Sequence, residues 1–323
     1  MKSKVIALEE HYFDAEVTRH FTQAGPEQRS PALKERLYDT GAGRLKEMDE
    51  AGIDVQVLSH GAPATQRLSG ELAIKVAREA NDRLLRITQE SGGRFEGFAV
   101  LPTAEPAAAA DELERAVTKL GFKGAMVHGL TGVGTAGRFL DEKPFWPIFE
   151  RARALDVPLY MHPAPPHPAV VEAYYKDYAK DYPGFLTAGW GFTVETATQG
   201  IRLVLSGVFD KYPGLKIILG HLGESLPFSL WRIDMALAKQ GARPNAFRDT
   251  FRSHFWVTTS GNFSTPALLC CVMELGADRI LFSVDYPFVP NPPGVKWMAD
   301  VPLGPEDRDK ILSGNARRLL RLD

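Results

Sequence analysis

Eight short apolar runs, spread along the whole chain and separated by amphipathic stretches, constrain this sequence more than any other feature. They fall at 5–8, 55–59, 95–101, 124–127, 157–161, 216–219, 255–259 and 280–284. Strand-like runs alternating with helical ones build βα units on a parallel sheet, and eight such units close into a barrel. The expected fold is an α/β (β/α)8 TIM barrel with loop insertions over its C-terminal face. The alternation continues without a composition break, so residues 1–323 read as a single domain, and 323 residues hold a barrel of roughly 250 plus insertions.

Between the runs, 71–90 gives the clearest helix, with Leu72, Val76, Ala80, Leu84 and Ile87 on one face. Segments 106–120, 144–155, 196–209, 266–275 and 305–322 read the same way, several opening on proline, which suits a first helical turn. Two long connections, 13–40 and 164–193, are rich in Pro, Gly and aromatic residues and read as ordered loops over the active face.

Composition removes several function classes. With 44% hydrophobic and 24% charged residues, and 29 Gly and 23 Pro scattered rather than periodic, disordered and fibrous chains are excluded. Lys+Arg 38 against Asp+Glu 40 leaves a formal charge of -2, with no footprint for nucleic acid. The first eight residues lack a leader pattern and no run reaches the roughly 18–20 apolar residues of a membrane span, so a soluble cytoplasmic protein with no membrane partner is expected. Cys270 and Cys271, neighbours in the apolar segment 266–275, read as buried free thiols.

The polar residues at the strand ends carry the functional signal. Glu9 and His11 follow the first run at a spacing of two, which on an extended chain turns both to the same side. His162 closes the fifth run, His221 the sixth and Asp285 the eighth. Each alone also has a structural reading, as a hydrogen-bonded core histidine or a helix-capping aspartate. Together, at carboxyl ends that open on one face of a parallel barrel, they form a site. Carboxylate oxygen mixed with imidazole nitrogen suits one divalent ion of intermediate hardness, Zn, Mn or Fe(II), and two carboxylates neutralise its charge.

These residues sit in a set of motifs: Ala7-Leu8-Glu9-Glu10-His11, Met48-Asp49-Glu50-Ala51-Gly52-Ile53, Leu155 through Pro163, Gly220-His221-Leu222-Gly223-Glu224, Trp231-Arg232-Ile233-Asp234, Ser283-Val284-Asp285-Tyr286-Pro287 and Gly314-Asn315-Ala316. Over nearly its full length the chain resembles the amidohydrolase superfamily, in the branch holding the γ-resorcylate, 2,3-dihydroxybenzoate and 5-carboxyvanillate decarboxylases. The Glu-x-His form at the first strand discriminates, because hydrolytic relatives and aminocarboxymuconate-semialdehyde decarboxylase resemble one another in having His-x-His there. The resemblance implies Glu9, His11, His162 and Asp285 as ligands of one metal ion, Zn or Mn. It also implies His221 with Glu224 as a second catalytic pair and no organic cofactor. Independently, Glu224 lies one turn beyond His221 and is placed to hold its imidazole, a helix cap being the other reading.

The implied reaction is non-oxidative decarboxylation of a small aromatic carboxylic acid of the hydroxybenzoate type. Direct loss of carbon dioxide would leave an aryl carbanion, so the ring carbon must first receive a proton, which the resemblance assigns to Asp285. Arg232, His60, His128, Trp190 and Phe288 are candidate substrate-binding residues, with Phe192 a further aromatic neighbour. Arg232 also reads as a surface or interface ion-pair partner, and the aromatics as ordinary loop packing. His60 and His128, at the ends of runs two and four, are expected at the pocket rim. His128 departs from γ-resorcylate decarboxylase, which is similar here but looks to have asparagine, so the ring substitution pattern stays open. Two rival functions remain: a metal-dependent hydrolase or hydratase on the same barrel, acting on a lactone, ester or unsaturated acid, and a non-catalytic metal-holding barrel. The aromatic stretch 174–190 and the resemblance together imply a homo-oligomer, dimer or tetramer.

Overall fold

The computed structural model describes residues 4–21, 30–132, 137–243 and 246–322. Eight parallel strands form a (β/α)8 barrel: β1 (Ile6–Tyr12), β2 (Val55–His60), β3 (Phe95–Gly97), β4 (Ala125–His128), β5 (Pro158–His162), β6 (Lys216–Leu219), β7 (Phe255–Thr258) and β8 (Ile280–Leu281). Ladders run β1-β2-β3 and β4 through β8, and the two sheets meet at a parallel bridge between Ala99 and Ala125. The main helices of the outer ring are α1 (Ala42–Ala51), α2 (Gly70–Glu90), α3 (Pro106–Thr118), α4 (Trp146–Leu155), α5 (Gly191–Ser206), α6 (Leu226–Lys239), α7 (Thr265–Leu275), α8 (Asn291–Asp300) and α9 (Asn315–Leu320).

Both faces of a barrel strand are covered, which is why the eight runs are nearly continuous apolar rather than alternating. Inside the barrel, Ile6, Leu8, Val57, Phe98, Met126, Tyr160, Ile218 and Leu281 pack together, with Ala316, Leu319 and Leu320 of α9 closing one end. The larger core lies between strands and helices and includes Leu58, Leu84, Leu113, Val127, Met161, Leu219, Val257 and Phe282.

Two strands are shorter than the apolar runs that announced them, because buried side chains take over their backbone groups. Beyond β3, Val100 exchanges hydrogen bonds at 2.9 Å with the Asn81 amide in both directions. The Leu101 carbonyl accepts from Thr65 at 2.8 Å. Beyond β8, Ser283 N–H goes to Thr259 Oγ1 and Val284 N–H to Glu10 Oε1, each at 2.9 Å. The ladder therefore stops at Leu281, and the seam between β8 and β1 is closed by Glu9 N–H donating to Ser283 Oγ at 2.7 Å and His11 N–H to Tyr286 O at 2.6 Å.

Other expectations are adjusted similarly. In α2 the buried face is Ala73, Val76, Ala77, Ala80, Asn81 and Leu84, while Leu72, in the first turn, is exposed. The 196–209 helix starts earlier, at Gly191, and breaks at Gly207, whose φ of 82° is left-handed. The 305–322 helix is Pro305–Asp309 and Asn315–Leu320 around a wider turn. Connections 13–40 and 164–193 carry short helices such as Pro31–Tyr38, Pro168–Val170 and Pro183–Leu186; residues 22–29 of the first lie outside the described residues. Cys271 is buried and Cys270 half-buried, both free. Among the described residues no helix is long and apolar enough to cross a membrane.

Candidate metal centre

β1 supplies two of the cluster residues, and it does so through a bulge. Ala7 pairs with Gln56 but Glu10 pairs with Leu58, so Leu8 and Glu9 together oppose the single residue Val57. The extra residue reverses the inward parity: Ile6 and Leu8 face the barrel interior below it, Glu9 and His11 face the mouth above it. The side-chain alternation expected for Glu9 and His11 holds, and the bulge decides which side they share.

One ligand atom from each of Glu9, His11, His162 and Asp285 lies within 4.8 Å of the others. An ion bound at about 2.0–2.2 Å holds opposed ligand atoms about 4.4 Å apart, so the cluster matches a single ion. Glu9 Oε1 stands 3.1 Å from His162 Nε2 and 3.9 Å from His11 Nε2, and His11 Nε2 is 3.3 Å from Asp285 Oδ1. Glu9 Oε1, His11 Nε2 and Asp285 Oδ1 are buried with no hydrogen-bond partner. Buried polar atoms are ordinarily satisfied, so two orphans from β1 converging with one from the segment after β8 fit the donor set of a cation.

The surrounding residues orient these ligands. His11 Nδ1 faces Ser59 Oγ at 3.3 Å, and His162 Nδ1 donates to its neighbour's carbonyl, Pro163 O, at 2.7 Å, which leaves both Nε2 atoms for the ion. The second oxygen of Glu9 accepts from the hydroxyls of Tyr160 and Ser260. Thr258 bridges them, 2.7 Å from the Tyr160 oxygen and 2.5 Å from that of Ser260. Gly220, following β6, makes room for this: a Cβ there would sit 2.8 Å from Glu9 Oε2 and 3.2 Å from the Tyr160 hydroxyl.

His221 stands beside the cluster rather than in it, its Nε2 3.9 Å from Glu9 Oε1 and 3.7 Å from Asp285 Oδ2. Its Nδ1 meets Glu224 Oε1 at 2.8 Å, and Thr193 donates to the other Glu224 oxygen at 2.8 Å. The expected one-turn spacing is realised without a right-handed helix. Residues 221–225 all have positive φ, from 50° to 76°, and α6 starts only at Leu226. Glycine is required at 223, where a Cβ would meet Val257 at 2.8 Å.

Charge follows geometry. Burial pushes the Glu9 carboxyl up, but the imidazoles of His221, His162 and His11 outweigh it and hold Glu9 well below the usual range. Asp285 is likewise lowered, burial being overcome by hydrogen bonds from His11 and His221. His221 is raised well above an ordinary imidazole: burial works against its charge, but Glu9, Glu224 and Asp285 favour it more strongly. With a divalent ion offsetting Glu9 and Asp285, Glu224 would be the carboxylate left to favour the charged imidazole of His221. The cluster without a cation holds two ionised carboxylates, so a 2+ ion brings it close to neutrality.

Against this geometry the remaining candidates separate. Phe288 is half-buried with its ring 5.5 Å from that of His11, and Phe192 is half-buried at the start of α5. Trp190 and Arg232 are exposed. His128 lies in the barrel mouth, its ring 4.8 Å from His162. His60 does not line the rim: Ser59 has the inward parity, and His60 stacks on Phe13 at 5.3 Å and 17°. Both histidines are buried, contrary to a rim position. Glu10, Tyr160, Ser260, Ser283 and Gly220 are the functional surroundings that reading the strand ends missed. Their one visible signal was proximity to the ligands in sequence, for Glu10, Tyr160 and Ser283.

A family model described as amidohydrolase matches residues 11–322. The chain belongs to the amidohydrolase family. Within that family it is 42% identical over 326 residues to the γ-resorcylate decarboxylase of Polaromonas sp. strain JS666, covering 98% of each chain. Among solved structures it resembles a 2,6-dihydroxybenzoate decarboxylase complexed with 2,6-dihydroxybenzoate, at TM-score 0.91 and 39% identity, covering 99% of this chain and 100% of that one. It also resembles a dihydroxybenzoic acid decarboxylase from Polaromonas sp. JS666 with bound manganese and the inhibitor 2-nitroresorcinol, at TM-score 0.92 and 41% identity, covering 99% and 98%. This family membership and barrel bear out the resemblance drawn from the motifs.

Proposed function

We propose that this protein is a metal-dependent, non-oxidative decarboxylase of a hydroxybenzoate, with manganese as the ion and 2,6-dihydroxybenzoate as the first substrate to try. The carrying observation is the convergence of Glu9, His11, His162 and Asp285 beside the His221–Glu224 pair, in a chain 42% identical to a γ-resorcylate decarboxylase over 98% of its length.

When bound, the ion supplies a positive centre that stabilises an ionised ortho oxygen on the ring. Glu9, His11, His162 and Asp285 hold it. His221, steadied by Glu224 at 2.8 Å, holds a proton on Nε2 3.7 Å from Asp285 Oδ2. Asp285 is the acid placed to pass that proton to the ring carbon bearing the carboxylate, and bond cleavage then restores aromaticity with release of carbon dioxide. Phe288, and His128 at the barrel mouth, stand as contacts for the flat ring and its substituents. Arg232, exposed in the isolated chain, would reach a substrate across a subunit boundary of an assembled oligomer, and exposed Trp190 stands just before α5, whose Thr193 bonds Glu224. We read residues 1–323 as one domain, cytoplasmic, working as a dimer or tetramer, which light scattering of the purified protein tests.

The direct experiment loads purified protein with manganese and offers 2,6-dihydroxybenzoate, 2,3-dihydroxybenzoate, salicylate and 5-carboxyvanillate in turn. Carbon dioxide and the corresponding phenol are expected from at least one. No release from any, together with turnover of a lactone or ester, replaces this reading with the hydrolase one.

A further inference from the structure

Glu10 shares a motif with two residues of the cluster yet points away from it, because alternation along β1 turns its side chain toward the β8 seam. It is fully buried. Its Oε1 accepts from Val284 N–H at 2.9 Å and Ser283 Oγ at 3.1 Å, and its Oε2 accepts from Tyr286 N–H at 3.1 Å. A longer contact, 3.5 Å, comes from Gln56 Nε2. The two N–H groups that Glu10 grips are those immediately before and after Asp285.

Asp285 needs such a grip. Its φ is 72°, a left-handed conformation that side-chain-bearing residues seldom adopt unless their surroundings impose it. No strand ladder holds it, since β8 ends at Leu281. From the other side the buried Arg44 donates to the His11 carbonyl and lies 4.7 Å over the Tyr286 ring, bracing the same seam.

We infer that Glu10 is a positioning residue for Asp285: one carboxylate spanning the amides on both flanks fixes the left-handed turn that aims the Asp285 side chain into the cluster. The inference rests on Asp285 being a metal ligand as proposed above. It is independent of which substrate is turned over.

The test uses full-length protein and three variants. Glu10→Gln keeps size and shape but presents an N–H2 to one of the two amides. Glu10→Asp keeps the carboxyl group but is one methylene short of spanning both. Gln56→Met removes the 3.5 Å contact to the same carboxylate and spares both amide bonds. For each, the manganese dissociation constant is measured by chelator competition, the metal-free thermal midpoint by circular dichroism, and kcat and KM where turnover exists. Manganese binding weakened about 10–100-fold in the two Glu10 variants, with kcat reduced at least about tenfold, KM nearly unchanged and Gln56→Met close to wild type, is the expected pattern. If Glu10→Gln does not fold, Glu10→Asp carries the same expectation. Manganese binding within about threefold of wild type in a folded Glu10 variant, or equal losses in Gln56→Met, overturns the inference. Because the titration needs no substrate, a wild type that binds manganese but decarboxylates nothing sinks the functional reading while the clamp is still judged on binding alone.

Discussion

His221 and His60 are both histidines at the end of a barrel strand, and they hold opposite charge states. His221 has a carboxylate at 2.8 Å and two more within 3.9 Å, and these lift its pKa well above the usual value against the pull of burial. His60 is also enclosed, but its Nδ1 goes to a backbone carbonyl, Gly61 O, at 2.7 Å and burial pulls it down to about 4. His128 behaves like His60: its Nε2 goes to His60 O at 2.9 Å, and burial with the nearby His162 keeps it far below an ordinary imidazole. Position at a strand end encloses a histidine, and neighbouring carboxylates decide whether it carries a proton there. One side of the mouth is an ionic site and the other a neutral aromatic and imidazole wall.

The contrast predicts effects of graded size. Stripping metal with a chelator strikes the ionic side hardest: activity falls by more than about 10³-fold, returns with added manganese, and saturating ion raises the thermal midpoint because it binds only the folded state. Asp285→Asn, assayed for carbon dioxide release with folding checked by circular dichroism, lowers kcat by about 10³-fold. A variant that keeps wild-type turnover would remove Asp285 from the chemistry.

Glu224→Gln is expected to cost about 10–100-fold in kcat. It also moves the alkaline limb of the pH–rate profile to lower pH, because His221 loses the carboxylate that keeps it protonated once the ion is bound. An unmoved limb would mean that Glu224 only shapes the turn.

The neutral side gives the smallest effect on turnover and is read through stability. An unfolded imidazole takes up a proton below about pH 6.5, whereas folded His60 does so only near 4. Its contribution is complete above pH 6.5 and is lost as pH falls toward 4, about 3 kcal/mol in all for this enclosed group. Urea unfolding across that range measures the slope, and His60→Leu should flatten it. An unchanged slope would mean that His60 protonates without resistance.

Much of this site was legible in the sequence because it lies at strand ends, and strand ends are marked by the close of an apolar run. Glu9, His11, His162, His221 and Asp285 were found that way, and the cluster with its neighbour His221 draws on all five. His60 was misplaced because its run also ends in histidine, while the parity that turns Ser59 rather than His60 inward is set by pairing with β1. The lengths of β3 and β8 were overread because Asn81, Thr65, Thr259 and Glu10, far away in sequence, intercept their backbone groups. Arg232 and Trp190 were grouped with the substrate by motif and loop composition, and their exposure follows from where α6 and the loop before α5 lie on the folded surface.

By itself the amino-acid order determined the number of βα units, the chemical types of the ligands and the family motifs, since each is written in a few consecutive residues. Tertiary structure alone decided the bulge that turns Glu9 and His11 into the mouth, the left-handed turn that brings Glu224 back onto His221, and the grip of Glu10 on both flanks of Asp285. The physical reason is that each depends on contacts made only in the folded chain: the bulge on pairing of β1 with β2, the turn on packing of Gly223 against Val257, and the grip on closure between β8 and β1, where residues more than 270 positions apart become hydrogen-bond partners.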